Sequence, residues 1–148
     1  KDIDGQTDIA ILSKVGNLKW LSKYKCTFQA DSYLKSQLPK HLREIFTRVR
    51  FEQLDTMVRY GRFHAILYND CLCICGAAEV EDLAHILFDC CLYKRMRDKY
   101  LGLYIRQMTY WDTYIKITHL MSGQNLKITF KVAQYLNNMI LLRSVYVG

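Results

Sequence analysis

Apolar residues recur at helical spacing along most of the 148 positions. Near the start, Ile9, Leu12 and Val15 form one stripe that Gly16 ends, and Leu18, Leu21 and Tyr24 continue it in a second short helix. Residues 26–32 read as a connection. Pro39 suits the first turn of a longer helix, where its missing N–H is not needed. Leu42, Ile45, Phe46 and Val49 mark that helix's buried face, Arg43 and Arg50 share another face with Arg48 at its edge, and Gly61 closes the region. A turn over 62–76 leads to a helix beginning near Glu81 or Asp82, which presents Leu83, Ile86 and Leu87 inward. A further helix starts near Cys90, with Tyr93, Met96, Tyr100 and Leu103 on its apolar edge. Residues 110–121 are rich in β-branched and aromatic types, which allows either a strand or a helix. The turn at 122–125 precedes an apolar helix over 126–146, carrying Ile128, Val132, Tyr135, Leu136, Met139 and Ile140, that closes the core. The pattern predicts a mainly α fold: one small helical domain over 1–148, with N-terminal helices (1–37), an arginine-rich helix plus a cysteine-rich turn–helix unit (38–105) and C-terminal helices (106–148).

Composition narrows the class. An apolar fraction of 51% supports a real core, and one proline with seven glycines excludes a fibrous or disordered chain. No uncharged apolar run approaches the length that spans a bilayer, so no membrane partner is expected. The acidic, polar start does not read as a signal peptide, which predicts an intracellular protein, nuclear or cytoplasmic.

Five of the six cysteines fall between residues 71 and 91. Disulfide frameworks spread their cysteines to join distant loops, so clustering argues for a bound metal in a reducing compartment. Cys73, Cys75, His85 and Cys90 are spaced C-x-C-x9-H-x4-C, and Cys3His is a standard structural zinc set. Gly76 lets the chain turn tightly, so that backbone N–H groups face the thiolates. Cys71 is a rival to Cys73 as first ligand, and His64 a weaker rival. His85 and Cys90 are five residues apart, about 140° around a regular α-helix, so a break near 89–91 is required for both to reach one ion. Four protein ligands leave no open coordination position for zinc catalysis, and no C-x-x-C redox pair is present.

Charge is uneven along the chain. Residues 14–62 hold eleven Lys/Arg against four acids, residues 94–143 nine against two, and residues 70–89 five acids with no Lys or Arg. Three thiolates, a neutral imidazole and Zn²⁺ add a further −1 to that acidic middle segment. It repels phosphate, so the zinc is expected to act as a clip while the flanking blocks bind. Those blocks supply Arg48, Arg50, Arg59 and Arg62 from one side and Lys94, Arg95, Arg97 and Lys99 from the other. Tyr60, Phe63 and Tyr68 are the candidates for stacking on unpaired bases.

The segment over residues 46–100 resembles the cysteine-rich zinc module downstream of the reverse transcriptase in non-LTR (LINE-type) retrotransposon polyproteins. Cys73, Cys75 and Gly76 match its opening and Glu81-Asp82 its acidic pair. His85, Leu87, Cys90, Tyr93 and Arg97 match the remainder, and Arg48-Val49-Arg50 and Tyr60-Gly61-Arg62-Phe63 match the basic helix and short turn before it. Cys91 departs from the pattern, standing where the family has proline. The resemblance covers roughly residues 38–105. It implies binding of element RNA or target DNA beside the polymerase part of a parent polyprotein. No polymerase or nuclease motif occurs here, so the chain itself is expected not to be an enzyme. The alternative is a host-adopted protein-interaction or oligomerisation module, with structural zinc alone and the apolar C-terminal helix as its surface.

Overall fold

A computed structural model describes residues 32–147. The helices expected around Ile9–Tyr24, and Cys26, lie outside the described residues. The described chain is mainly helical, without strands. A 3₁₀ turn at Ser32–Lys35 is followed by α1 (Lys40–Arg50), α2 (Met57–His64), the cysteine-rich segment, α3 (Lys94–Tyr100), α4 (Gly102–Gln107), α5 (Thr113–Met121) and α6 (Leu126–Val147).

The longest helix, α6, is the centrepiece. Asn125 opens it, its side-chain oxygen accepting from the N–H groups of Lys127 (3.0 Å) and Ile128 (3.2 Å). Val132, Ala133, Tyr135, Leu136 and Met139 are fully buried, a wide arc against which α1, α3 and α5 each pack. Leu42, Ile45, Phe46 and Val49 supply the α1 side, and Ile117, Leu120 and Met121 the α5 side. Ile86, Leu87 and Tyr93 carry the same core beneath the cysteines. Burying side chains of this size is the main source of stability, at about 1.5–3 kcal/mol each.

Several expectations are corrected here. Of residues 110–121, left open between strand and helix, Thr113–Met121 are helical, because Asp112 caps the first turn: its Oδ1 accepts the Tyr114 N–H at 2.9 Å. Leu103 is exposed, since the helix breaks at Leu101 and the phase of its stripe shifts so that Leu101 is buried instead. Pro39 is the cap residue of α1, one place before the first turn. Gly61 does not end a helix but sits inside α2, where Ala65, with φ of 55°, is the left-handed cap.

A methyl group at Gly61 would meet the Cys71 sulfur inside van der Waals contact. Gly61→Ala is therefore expected to lose about 1–3 kcal/mol in urea denaturation, and Cys71→Ala in the same chain to recover much of it. An additive pair would refute this packing relation.

Candidate metal centre

The centre is built from a tight hairpin and a distorted helical turn. In the hairpin, the Cys73 N–H donates to the Glu79 carbonyl (2.8 Å) and the Glu81 N–H to the Cys71 carbonyl (2.9 Å), with Leu72 and Val80 bridged between them. The reversal needs left-handed backbone at Gly76 (φ 81°) and Ala78 (φ 57°). Cys73 and Cys75 therefore project from one small loop.

The other two donors are His85, which opens a single π-helical turn (His85–Asp89), and Cys90, which caps its end. Asp82 caps it: Oδ1 accepts the His85 N–H at 2.8 Å, and Oδ2 accepts the Tyr68 hydroxyl at 2.7 Å. The Cys90 N–H then bonds the His85 carbonyl (2.8 Å), an i to i+5 closure that sets Cys90 over His85. Cys90 leaves the turn with extended backbone, and Cys91–Tyr93 form a 3₁₀ turn into α3. The wider π turn plus this exit overcomes the 140° separation that a regular helix would impose.

One donor atom from each of Cys73, Cys75, His85 and Cys90 lies within 4.8 Å of the others. The Cys73 and Cys90 sulfurs are 3.8 Å apart, and the Cys75 sulfur is 3.5 Å from His85 Nε2. Around a tetrahedral ion with Zn–S of about 2.3 Å and Zn–N of about 2.0–2.1 Å, those edges would be about 3.8 and about 3.5 Å. The four residues lie close enough together to hold a metal ion. All five described cysteines are free thiols.

Electrostatics are arranged around the sulfurs. Burial pushes the Cys73 and Cys90 thiols up, although backbone N–H groups two residues on, from Cys75 and Leu92, pull the other way. Burial also raises Cys75, but the Ala77 N–H and the His85 ring outweigh it and leave that thiol lowered. A thiol raised in the folded state adds stability that is full below the ordinary value of about 8.5 and is lost as pH climbs from there toward the raised value. Chelator-treated protein is thus expected to melt progressively lower from about pH 8.5 to pH 10. Metal affinity should move the opposite way, because ligation takes thiolates. Melts at stepped pH check this, and a flat profile would contradict it.

A second layer of groups contacts three of the four donor residues, His85, Cys90 and Cys73. Glu79 Oε2 holds His85 Nδ1 at 2.9 Å, leaving Nε2 for the cluster. Arg97 directs both Nη atoms onto the Cys90 carbonyl, at 2.9 and 2.8 Å. Glu81 is fully buried, and its carboxylate takes the Met57 N–H at the start of α2 (2.6 Å), the Cys73 thiol (3.5 Å) and the guanidinium of Arg143 from α6. The acidic position expected to favour a helix start is thus Asp82, while Glu81 does something the local sequence does not signal.

Cys71 is buried outside the cluster, donating to the Leu67 carbonyl at 3.4 Å. His64 is exposed, stacked on Tyr60 with ring centres 3.7 Å apart. Cys91 is exposed, its sulfur 3.8 Å from the Cys75 carbonyl.

No family model, curated protein or solved structure matches this chain.

The eight basic residues expected to meet phosphate divide into two groups. Arg50 and Arg97 are buried and no part of the surface. Arg50 shares a helix face with Arg43 as expected, but the Ser32–Lys35 turn covers that face, and the Arg50 guanidinium lies 5.4 Å from the Tyr33 ring centre and 6.0 Å from that of Phe46. Arg97 is turned inward by the Cys90 carbonyl. The other six remain accessible. Arg59 pairs with Asp55 (2.6 Å), Arg62 with Glu52 (3.7 Å) and Lys94 with Asp98 (2.9 Å), whereas Arg48, Arg95 and Lys99 have no acidic partner among the described residues. The basic α1 and α3 meet through α6, which both pack against. Tyr60, Phe63 and Tyr68 are exposed, Phe63 at 70%. Tyr60, Phe63 and His64 line an open groove on α2 with Met57, Arg59 and Arg143. No helix of the described residues is long and apolar enough to cross a membrane.

Proposed function

We propose that this chain is a zinc-stabilised nucleic-acid-binding module of the kind found downstream of the reverse transcriptase in non-LTR retrotransposon polyproteins, acting by binding and not by catalysis. The observation that carries the reading is the convergence of Cys73, Cys75, His85 and Cys90, at distances suited to a tetrahedral ion, in the order and spacing that the resemblance rests on. Three sulfurs and one imidazole favour zinc over harder cations. Four protein donors leave no position for a reacting water, which supports a structural role. The zinc ties the hairpin to the π turn and so sets the start of α3.

Nucleic acid would be met away from the acidic clip. Arg48, Arg59, Arg62, Lys94, Arg95 and Lys99 provide cations for the backbone, and the α2 groove offers Tyr60 and Phe63 as stacking platforms beside Arg59. Arginine neutralising a phosphate releases counterions, so binding to RNA or DNA should weaken steeply with salt. The test is fluorescence anisotropy over a salt series. Arg62→Ala and Arg95→Ala are each expected to reduce the log–log salt slope by about 1. Absence of salt-sensitive binding to either nucleic acid would sink the reading.

The alternative, a self-associating interaction module, is favoured by one observation: Leu141, Val145 and Tyr146 are exposed on the last turns of α6. A mass that rises with concentration, with no nucleic-acid affinity, would select it.

A further inference from the structure

Arg143 stands near the end of α6, far along the chain from Glu81, yet its Nε donates to Glu81 Oε2 (3.2 Å) and its Nη2 to Oε1 (2.8 Å). Glu81 is wholly buried, and the Arg143 side chain is only 13% exposed. The oxygen that accepts Nε also lies 3.5 Å from the Cys73 sulfur, which in turn lies 3.8 Å from the Cys90 sulfur. The buried carboxylate of Glu81 therefore stands directly against the Cys73 sulfur.

As a thiol, Cys73 donates an S–H hydrogen bond to that carboxylate. As a metal ligand it is a thiolate and has no proton to donate. Two anions at this separation, out of water, repel each other strongly. The cation that faces the same carboxylate is Arg143, and its forked grip allows it to hold both oxygens.

We propose that Arg143 is a positioning residue of the metal centre, acting through Glu81: its guanidinium neutralises the carboxylate behind Cys73 and lets that sulfur ligate as a thiolate. The inference rests on the metal reading above. It makes metal binding and the docking of the end of α6 mutually stabilising. Because Glu81 Oε1 also holds the Met57 N–H, the start of α2 belongs to the same unit.

The experiment uses the full chain, with zinc and cobalt affinities from competition against a chromophoric chelator and the sulfur-to-cobalt charge-transfer bands as a second readout. Arg143→Met is expected to weaken metal binding about 10- to 100-fold. Glu81→Gln combined with Arg143→Met removes both charges, and affinity should return to within about threefold of the parent. A residue that merely pinned α6 would leave the double variant as weak as the single one or weaker, which overturns the proposal. Unchanged affinity in Arg143→Met also overturns it. Should Arg143→Met fail to fold, the double variant decides: folded with parent-like cobalt bands supports the proposal, while unfolded or unable to take metal overturns it. A parent chain that takes up neither zinc nor cobalt is a different result, removing the metal reading itself and this inference with it.

Discussion

Cys90→Ser is expected to abolish stoichiometric cobalt binding and to lower the melting temperature of the zinc-loaded chain to that of chelator-treated protein. The sulfur is fully buried and supplies one corner of the cluster. A ligand present at about a thousand times its dissociation constant stabilises the folded state by about 4 kcal/mol. In a chain of this length that corresponds to a fall on the order of 15 °C. Cys73→Ser should behave in the same way. Cys71→Ser and Cys91→Ser should keep the cobalt spectrum, because neither sulfur belongs to the cluster. The set of four separates ligand from bystander in one comparison. If Cys71→Ser lost the metal while Cys73→Ser kept it, the assignment of the first ligand would be wrong.

Glu81→Ala is expected to cost about 3–5 kcal/mol, the second largest effect, measured as a reduced midpoint in urea. The loss has three parts. Arg143 keeps its charge in a largely buried position with no carboxylate, the Met57 N–H loses its acceptor, and the space left by the side chain is not refilled. Glu79 makes the informative contrast. Its carboxylate is 55% exposed and serves to orient the His85 ring. Glu79→Ala should therefore weaken metal affinity with little change in the stability of metal-free protein. A Glu81→Ala loss under about 1 kcal/mol would show that the buried pair is not needed for the fold.

The two acids lie two residues apart in the chain, and nothing local separates their roles. What distinguishes them is packing: Glu79 stays at the rim, whereas Glu81 is covered by the start of α2 and by Arg143 from α6. The arginines give the same lesson. Arg48 and Arg50 are neighbours on a basic helix, and both read as phosphate contacts. Arg50 is covered by Tyr33 and the Ser32–Lys35 turn, whose position depends on packing against α6. Arg97 reads as part of a charged helix face, yet the bent exit of Cys90 points a carbonyl at it. Gly61 reads as a stop and proves to be a slot for the Cys71 sulfur. Asp112 is the signal that could have identified α5, because a capping acid before a periodic segment marks a helix start.

Other features were legible from local rules. The buried face of α1, the turn before α6 and the apolar stripe of α6 follow from a period of 3.6 residues and from turn chemistry. The requirement for a break near 89–91 followed from angular geometry alone, and the chain meets it with a π turn.

By itself, the order of residues determined the four-residue cluster and the helical class, because side chains on one short hairpin and one adjoining turn meet through local backbone geometry. Only the tertiary structure decided which charges face water and which are buried beside the cysteine cluster. Arg143 finds Glu81, and Arg50 finds Tyr33, through the common packing of distant segments on α6. The free energy of a buried charge depends on the neighbours that packing brings to it, not on its own position in the chain.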